Sequence, residues 1–335
     1  MKPDLEEMLA YTPPTADYLN LSTNENFFIN HRLIMKKSLN QIMNHAELNH
    51  YGQSHHPELL MKYANYIGAK PEQILPAPGS ESLIAVLIQA LVETTVVTFD
   101  TDFFRYGEVA HVLEKNHVTV PIASGILGLI DMAKTTSNSL IMLSNPNNPL
   151  GMVYGEDHLI QLLEETDCYV VIDEAYGEYY GESMVSFLEK YPKLIILRTL
   201  SKGWGLAGLR VGFMLANEGL IKYVKAVQGP FTLSDLNGLV ASMALDEVDL
   251  MKEMVERTKV VRSDFIKFLQ DYDVDVLPSE ANFVYVKTAF AKEISQRLFE
   301  EKIAVTARGD GLRITIGCEL DMKRLKACLA LCLPK

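Results

Sequence analysis

An α/β fold, with a mostly parallel sheet covered by helices on both faces and a smaller α+β domain beside it, is the architecture this sequence predicts. Three observations predict it. Helical and strand-like pieces alternate from about residue 57. Several strand-like pieces, residues 169–172 above all, are continuous apolar runs, as strands buried on both faces are. Near Asp246 the texture changes to one long amphipathic helix followed by short mixed elements.

In chain order, 82–92 reads as a helix and 95–99 as a strand, 104–115 as a helix and 139–143 as a strand, 157–165 as a helix and 169–172 as a strand. The strand pieces are short and mostly apolar, 169–172 continuously so. Residues 194–197 and 209–215 add two further strands. Beyond Asp246, Met251, Met254, Val255, Thr258, Val261, Phe265 and Phe268 mark one face of a long helix. After it come a strand at 282–287, a helix at 292–300, strands at 304–307 and 312–316, and a closing helix from Leu320. No internal repeat, low-complexity tract or Gly/Ser linker interrupts the chain, so the division near 245 falls on a helix. The expected domains are a large one, 29–244, and a small one built from 1–28 and 245–335.

The 335 residues are 48% hydrophobic and 22% charged, ordinary proportions for a globular chain with a sizeable core. The balance of 31 basic against 43 acidic residues, a net charge of −12, argues against a general binder of nucleic acid or of anionic membranes. The start, Met1-Lys2-Pro3-Asp4-Leu5-Glu6-Glu7, lacks a signal-peptide apolar stretch, and the run 83–91 is too short to span a bilayer, so the expected location is cytoplasmic. Cys168, Cys318, Cys328 and Cys332 form no C-x-x-C pair and are expected as free thiols. His45, His50 and His55 fall at steps of five residues, which do not share a helix face, and with His56 they complete no recognisable ligand spacing; a polar loop, not a metal site, is expected there.

The richest stretch is Leu197-Arg198-Thr199-Leu200-Ser201-Lys202, followed by Gly203-Trp204-Gly205-Leu206-Ala207-Gly208-Leu209-Arg210. One lysine stands between hydroxyl residues and glycines with an arginine, the chemistry needed to hold a phosphorylated aldehyde. Gly203, Gly205 and Gly208 also spell G-x-G-x-x-G, but a dinucleotide fingerprint must open a helix, and the chain continues here as an apolar strand-like run. Upstream, Ser144-Asn145-Pro146-Asn147-Asn148-Pro149-Leu150-Gly151 follows one buried strand, and Val170-Val171-Ile172-Asp173-Glu174-Ala175-Tyr176 ends another on a carboxylate. Carboxyl ends of parallel strands face a ligand crevice.

Taken in this order, the three motifs resemble those of the fold-type I pyridoxal phosphate aminotransferases, most closely the histidinol-phosphate aminotransferase branch. The likeness extends from Leu21-Ser22-Thr23-Asn24-Glu25-Asn26 to Gly311-Leu312-Arg313-Ile314-Thr315-Ile316-Gly317. It implies pyridoxal 5'-phosphate as cofactor, with Lys202 bonding its aldehyde and carrying the proton that moves at the substrate. Lysine suits both tasks when positive neighbours and desolvation bring its pKa toward neutrality.

It further implies that Asp173 pairs with the ring nitrogen and that Asn148 and Tyr176 bond the ring's phenolic oxygen. The phosphate falls to the amides of Ser80 and Glu81, where a helix opens after Pro78-Gly79, and to Thr199, Ser201 and Arg210. Phe103 is the expected ring-stacking aromatic, with Phe104 as a competing register. Tyr51 matches a tyrosine that reaches the partner subunit's phosphate, implying a homodimer with shared active sites.

For the substrate, the resemblance points to Arg313, with Asn24 and Tyr11 lining the pocket; an arginine grips a carboxylate by a bidentate contact that lysine does not reproduce. The family places a second phosphate-reading arginine at the position of Thr306; Arg308, two residues on, is the candidate replacement. The implied reaction is ping-pong amino transfer between a donor such as histidinol phosphate or glutamate and a 2-oxo acid. A threonine-phosphate decarboxylase, which phenylalanine at 103 fits but the missing His-Gly-Gly opening does not, stands as an alternative. So do an aminotransferase of broad or aromatic specificity and a ligand-sensing relative without turnover.

Overall fold

A computed structural model describes residues 14–45, 49–51, 56–91, 95–136 and 138–333. Tyr11 and His55 lie outside the described residues. In chain order the elements are β1 (Leu19–Asn20), α1 (His31–His45), α2 (His56–Ile67), β2 (Ile74–Ala77), α3 (Ser80–Leu91), β3 (Thr95–Phe99), α4 (Arg105–Val112), β4 (Asn116–Val120), α5 (Gly125–Thr135), β5 (Ser139–Ser144), α6 (Glu156–Glu165), β6 (Tyr169–Asp173), α7 (Gly177–Tyr180), β7 (Leu194–Thr199) and β8 (Gly212–Ala216). They continue as α8 (Glu218–Gln228), α9 (Asp235–Ala244), α10 (Val248–Leu269), β9 (Asp275–Val276), β10 (Phe283–Lys287), α11 (Ala291–Glu300), β11 (Ile303–Ala304), β12 (Thr306–Arg308), β13 (Gly311–Thr315) and α12 (Glu319–Cys332).

The central sheet runs β2-β8-β7-β6-β5-β3-β4, with every neighbouring pair parallel except those made by β8. Side chains alternate between its faces, and both faces are apolar. Ile141, Leu143, Val170, Ile172, Leu194 and Ile196 join one core, which α2, α5, α6 and α9 cover. Leu140, Met142, Val171, Ile195 and Leu197 join a second core with α3, α4 and α8. This two-sided burial is why the strands read as unbroken apolar runs.

A third core belongs to the smaller unit: Leu21, Val261, Phe265, Leu269, Val284, Leu312, Ile314, Leu325 and Leu329 pack among β10, β13, α10 and α12. The long helix α10 serves two cores, because Met251, Met254 and Val255 of its first half pack on the large sheet. The N-terminal arm joins the small unit through β1, which pairs in parallel with β11.

Several boundaries differ from the sequence expectation. The strand expected at 209–215 starts at Gly212, because Ala207–Leu209 forms a 3-10 turn and Arg210 sits in the left-handed region at φ 54°. The strand expected at 304–307 is two strands. Ile303–Ala304 pairs with the arm, whereas Thr306–Arg308 pairs with β13. The histidines expected in a loop lie partly in helices, with His45 closing α1 and His56 opening α2. The glycines of the G-x-G-x-x-G run lie in a turn and a 3-10 segment, not at a helix start.

Candidate active site

The strands β5, β6 and β7 end side by side, Ser144 opposite Asp173 and Asp173 opposite Leu197. Counting in steps of two, Ser144, Asp173 and Thr199 continue the face that carries Met142, Val171 and Leu197. All three therefore look toward α3 and α4, and a ligand lying across these strand ends meets a carboxylate, a hydroxyl pair and a helix N-terminus at once.

The anion end of the site is built by close approach. Gly212 pairs with Thr199 on one side and Ala77 on the other. Lacking a side chain, it lets α3 begin directly above it: a Cβ on Gly212 would stand 2.2 Å from the Ser80 nitrogen. Gly79, at φ +83°, makes the turn into that helix, and the Arg210 guanidinium fills the space a Cβ there would take, 2.6 Å from it. The first amides of α3, Ser80 and Glu81 among them, are donors that the helix itself cannot satisfy. The Glu81 carboxylate turns away to Arg105 at 2.8 Å.

Thr199 donates its hydroxyl to Ser201 Oγ at 3.0 Å and accepts the Ser201 N–H at 3.1 Å, so both hydroxyls stand at the same corner. Arginine, hydroxyls and amides converging where two glycines leave room fit a phosphate monoester. Gly79→Ala should weaken cofactor retention by about tenfold or more, since the left-handed backbone costs a side chain roughly 1–2 kcal/mol before the clash with Arg210 is counted. Equilibrium dialysis against free cofactor measures this.

Asp173 is 5% exposed, and its two oxygens accept the Tyr106 hydroxyl at 2.9 Å and the Ala175 N–H at 3.1 Å. Burial pushes its carboxyl up to about 6, with the Tyr106 and Ala175 bonds opposing. A buried acid with few donors seeks a cation, such as a protonated ring nitrogen.

Lys202 is half-buried, in a turn closed by Gly205 N–H to the Lys202 carbonyl at 3.0 Å and Leu206 N–H to the Leu200 carbonyl at 2.9 Å. Its Nζ donates to the Thr23 carbonyl at 2.8 Å and lies 5.8 Å from the centre of the Tyr176 ring. Desolvation above all, with Arg313 and Arg210 acting the same way against Glu25 and Asp173, brings its pKa down to about 7. A neutral amine near pH 7 is the nucleophile that an aldehyde needs.

Around this pair, the Tyr176 hydroxyl accepts a hydrogen bond from Asn24 Nδ2 at 2.8 Å. Burial holds the phenol above its usual range, so it stays a donor. Asn148 Oδ1 accepts Arg313 Nη1 at 2.6 Å. Arg313 also donates to the Ser22 carbonyl and, at 3.3 Å, to Thr306 Oγ1. Its guanidinium plane thus ties the small unit and the arm to the loop after β5. Asn24, 1% exposed, spends its carbonyl on Thr315 Oγ1 and its amide nitrogen on Tyr176; the structure places it behind the tyrosine rather than open to a ligand.

The remaining expected residues sit further out. Phe103 is half-buried, edge-on to Tyr106 with ring centres 5.5 Å apart. Phe104 is exposed, and the Arg308 guanidinium lies over it at 4.6 Å. Tyr51 is 84% exposed, its ring centre 5.2 Å from that of Phe231. Sequence reasoning missed Tyr106, the partner of Asp173, and the carbonyls of Ser22 and Thr23. Tyr106 falls one helical turn after Phe103 at the start of α4, a placement that could have marked it; backbone carbonyls leave no such sign. Among the described residues no cluster of three or more His, Cys, Asp or Glu side chains is placed to hold a metal, and no helix is long and apolar enough to cross a membrane.

Comparison with known proteins agrees with this geometry. The family model described as aminotransferase class I and II matches residues 16–330. The histidinol-phosphate aminotransferase of Clostridium kluyveri is 32% identical over 94% of this chain and 93% of its own. Among solved structures, the histidinol-phosphate aminotransferase of Sinorhizobium meliloti in complex with pyridoxal-5'-phosphate superposes with a TM-score of 0.88 at 23% identity, covering 99% of this chain and 98% of that one. The L-threonine-O-3-phosphate decarboxylase of Porphyromonas gingivalis superposes with a TM-score of 0.81 at 22% identity, over 93% and 98% of the two chains.

Proposed function

Since the chain belongs to the class I and II aminotransferases and takes pyridoxal 5'-phosphate as cofactor, we propose that it exchanges an amino group between histidinol phosphate and a 2-oxo acid such as 2-oxoglutarate. The observation that carries the amino-transfer chemistry is the Lys202 amine, held at the Thr23 carbonyl and 5.8 Å from the centre of the Tyr176 ring, within electrostatic reach of the buried Asp173 carboxylate. The relatives carry the choice of substrate, since several named histidinol-phosphate aminotransferases match over most of this chain.

The bound cofactor supplies an electron sink for the charge left on the substrate carbon when its proton departs. Everything else falls to the protein. Lys202 Nζ would take that proton and return it to the carbon on the far side of the transferred nitrogen; the neutral amine is the form able to accept it. Asp173 holds positive charge on the ring nitrogen, and Tyr106 fixes which way its carboxylate faces. Asn148 Nδ2 and the Tyr176 hydroxyl are the donors for the phenolic oxygen. Phe103 stacks on the ring, while Ser80, Glu81, Thr199, Ser201 and Arg210 hold the phosphate. Asn24 acts through Tyr176. Arg313, its plane fixed by Asn148, Ser22 and Thr306, faces the carboxylate of glutamate or 2-oxoglutarate.

Arg308 takes the phosphate of histidinol phosphate in place of an arginine at position 306. Its guanidinium donates no hydrogen bond among the described residues, and burial lowers its pKa, so an anion there would relieve a desolvated charge. The active unit is a homodimer: Met35, Leu39 and Met43 make an exposed apolar stripe on α1, Tyr51 and Phe231 form an exposed aromatic pair, and Tyr51 reaches the phosphate of the other copy. The large domain, 29–244, carries the cofactor, and 1–28 with 245–335 form the small one. The site of action is the cytoplasm.

The test is a panel of amines offered to the cofactor-loaded protein with 2-oxoglutarate. Histidinol phosphate should be the best donor, and Arg308→Gln should raise its KM about tenfold or more, a charged hydrogen bond being worth roughly 1.5–3 kcal/mol, while leaving that for glutamate alone. Turnover of aromatic amino acids without histidinol phosphate would make it an aromatic aminotransferase. Carbon dioxide released from O-phosphothreonine with no 2-oxo acid consumed would make it a decarboxylase.

A further inference from the structure

Behind the cofactor-facing residues lies a second buried carboxylate that the chemistry above leaves unused. Asp102, 5% exposed, immediately precedes Phe103. Its Oδ1 accepts the Phe103 N–H at 2.7 Å and the Ser144 hydroxyl, and each of its oxygens stands 3.3 Å from the Ser144 N–H. The same Ser144 oxygen accepts the backbone N–H of Asn148 at 2.9 Å. A parallel tie runs from Asn147 Nδ2 to the Thr101 carbonyl at 3.1 Å. The segment 101–103 and the loop 144–148 are therefore one hydrogen-bonded piece, although 40 residues of chain separate them.

We propose that Asp102 is a positioning residue for amino transfer, which through Ser144 fixes the Phe103 ring and the Asn148 amide relative to one another. The inference rests on the placement of Phe103 over the cofactor ring and of Asn148 at its phenolic oxygen. If those two groups were set independently, each would need only local bonds, and neither would need a buried acid. A carboxylate here is a costly way to satisfy two N–H groups and a hydroxyl. Desolvation raises it to about 7, and Asp173 on β6 pushes the same way. The other titratable or charged groups that face it are Tyr106 on α4, Tyr154 beyond the loop and Arg308 on β12. What the acid supplies in return is a strong acceptor shared by both segments at one point.

The experiment compares Asp102→Ala, Ser144→Ala, the double variant, Asp102→Asn and Phe103→Ala as cofactor-loaded proteins. The readouts are the visible circular dichroism of the bound cofactor, its dissociation constant, kcat, KM and melting temperature. Asp102→Ala and Ser144→Ala should each alter the visible dichroism and lower kcat roughly tenfold or more with KM little changed, as misplacement of reacting groups does. The double variant should be no worse than the poorer single one, because both break one link. Asp102→Asn keeps an Oδ1 acceptor for Phe103 and Ser144 but places an amide donor where Oδ2 faces the Ser144 N–H, and should recover only part of kcat.

Additive losses overturn the proposal. So does a lowered melting temperature with unchanged dichroism and kcat, read on Ser144→Ala should Asp102→Ala not fold. Phe103→Ala separates the two levels. A dichroism change there with none in Asp102→Ala removes the link alone, whereas no change in either removes the placement of Phe103 and the link with it.

Discussion

Lys202→Ala should abolish amino transfer, lowering kcat by at least about 10³-fold, within the range that loss of a positioned proton-transfer group produces and with the aldehyde anchor gone besides. The phosphate corner is untouched, so the variant should still retain cofactor, but without the visible band that a lysine-bonded aldehyde gives. Stopped-flow single turnover with glutamate measures the first effect and an absorption spectrum the second. A variant that keeps both band and turnover would remove Lys202 from its role.

The pH dependence has a definite sign. Lys202 falls from an ordinary 10.5 to about 7 in the folded chain. Below about 7 folded and unfolded chains both carry its proton, and above 10.5 neither does. Between these values the unfolded chain holds one proton more, so this group's contribution to the stability of the cofactor-free protein rises with pH across that window. Capture of the cofactor should accelerate through the same lower limit, because only the neutral amine attacks.

Asp173→Asn should cost roughly 10²–10³-fold in kcat, the loss expected when a preorganised electrostatic partner of the transition state is removed. In the cofactor-free protein the same change should raise the melting temperature at pH 8. Asp173 titrates at about 6 when folded against an ordinary 3.8. The folded chain therefore holds the extra proton between these values. The stability this group contributes is complete below 3.8 and lost as pH rises through about 6. At pH 8 the cofactor-free protein holds a buried charge that asparagine would not carry, and loading with cofactor should reverse the order of the two melting temperatures. Calorimetry of both proteins, loaded and empty, at pH 5 and pH 8 reads all eight values. Unchanged kcat in the asparagine variant would contradict the assignment.

Much of the fold was legible because burial on both sheet faces leaves a clear mark: 139–143, 169–172 and 194–197 are apolar but for Ser139, and each is a central strand with a parallel neighbour. Elements at the margins left weaker marks. The edge strand β4, NHVTV, is largely exposed, and β2 contains Pro76, which the free side of an edge strand tolerates. Neither they nor α1, α5, α8 and α9 stood out from the sequence. The direction of β8 was not legible either, since an antiparallel strand buried on both faces is as apolar as a parallel one.

Within the site, motif residues that bring side chains to strand ends were legible: Asp173 and Thr199 lie at the ends of β6 and β7, with Lys202 in the turn beyond. The support beneath them was not. Tyr106, Asp102 and Ser144 meet only through tertiary contacts between β3, α4 and β5, and the Thr23 carbonyl that holds the Lys202 amine is backbone, which every residue has. Thr306 and Arg313 were read as separate positions; pairing of β12 with β13 places them directly opposite one another.

The claim on which the account turns is that the Lys202 amine is the group joined to the cofactor aldehyde, and chemical trapping measures it most directly. Reducing the cofactor-loaded protein with borohydride, digesting it and sequencing the peptides by mass spectrometry should place the pyridoxyl mass on Lys202 alone. That mass on any other lysine, or on none while the protein still turns over, would contradict it.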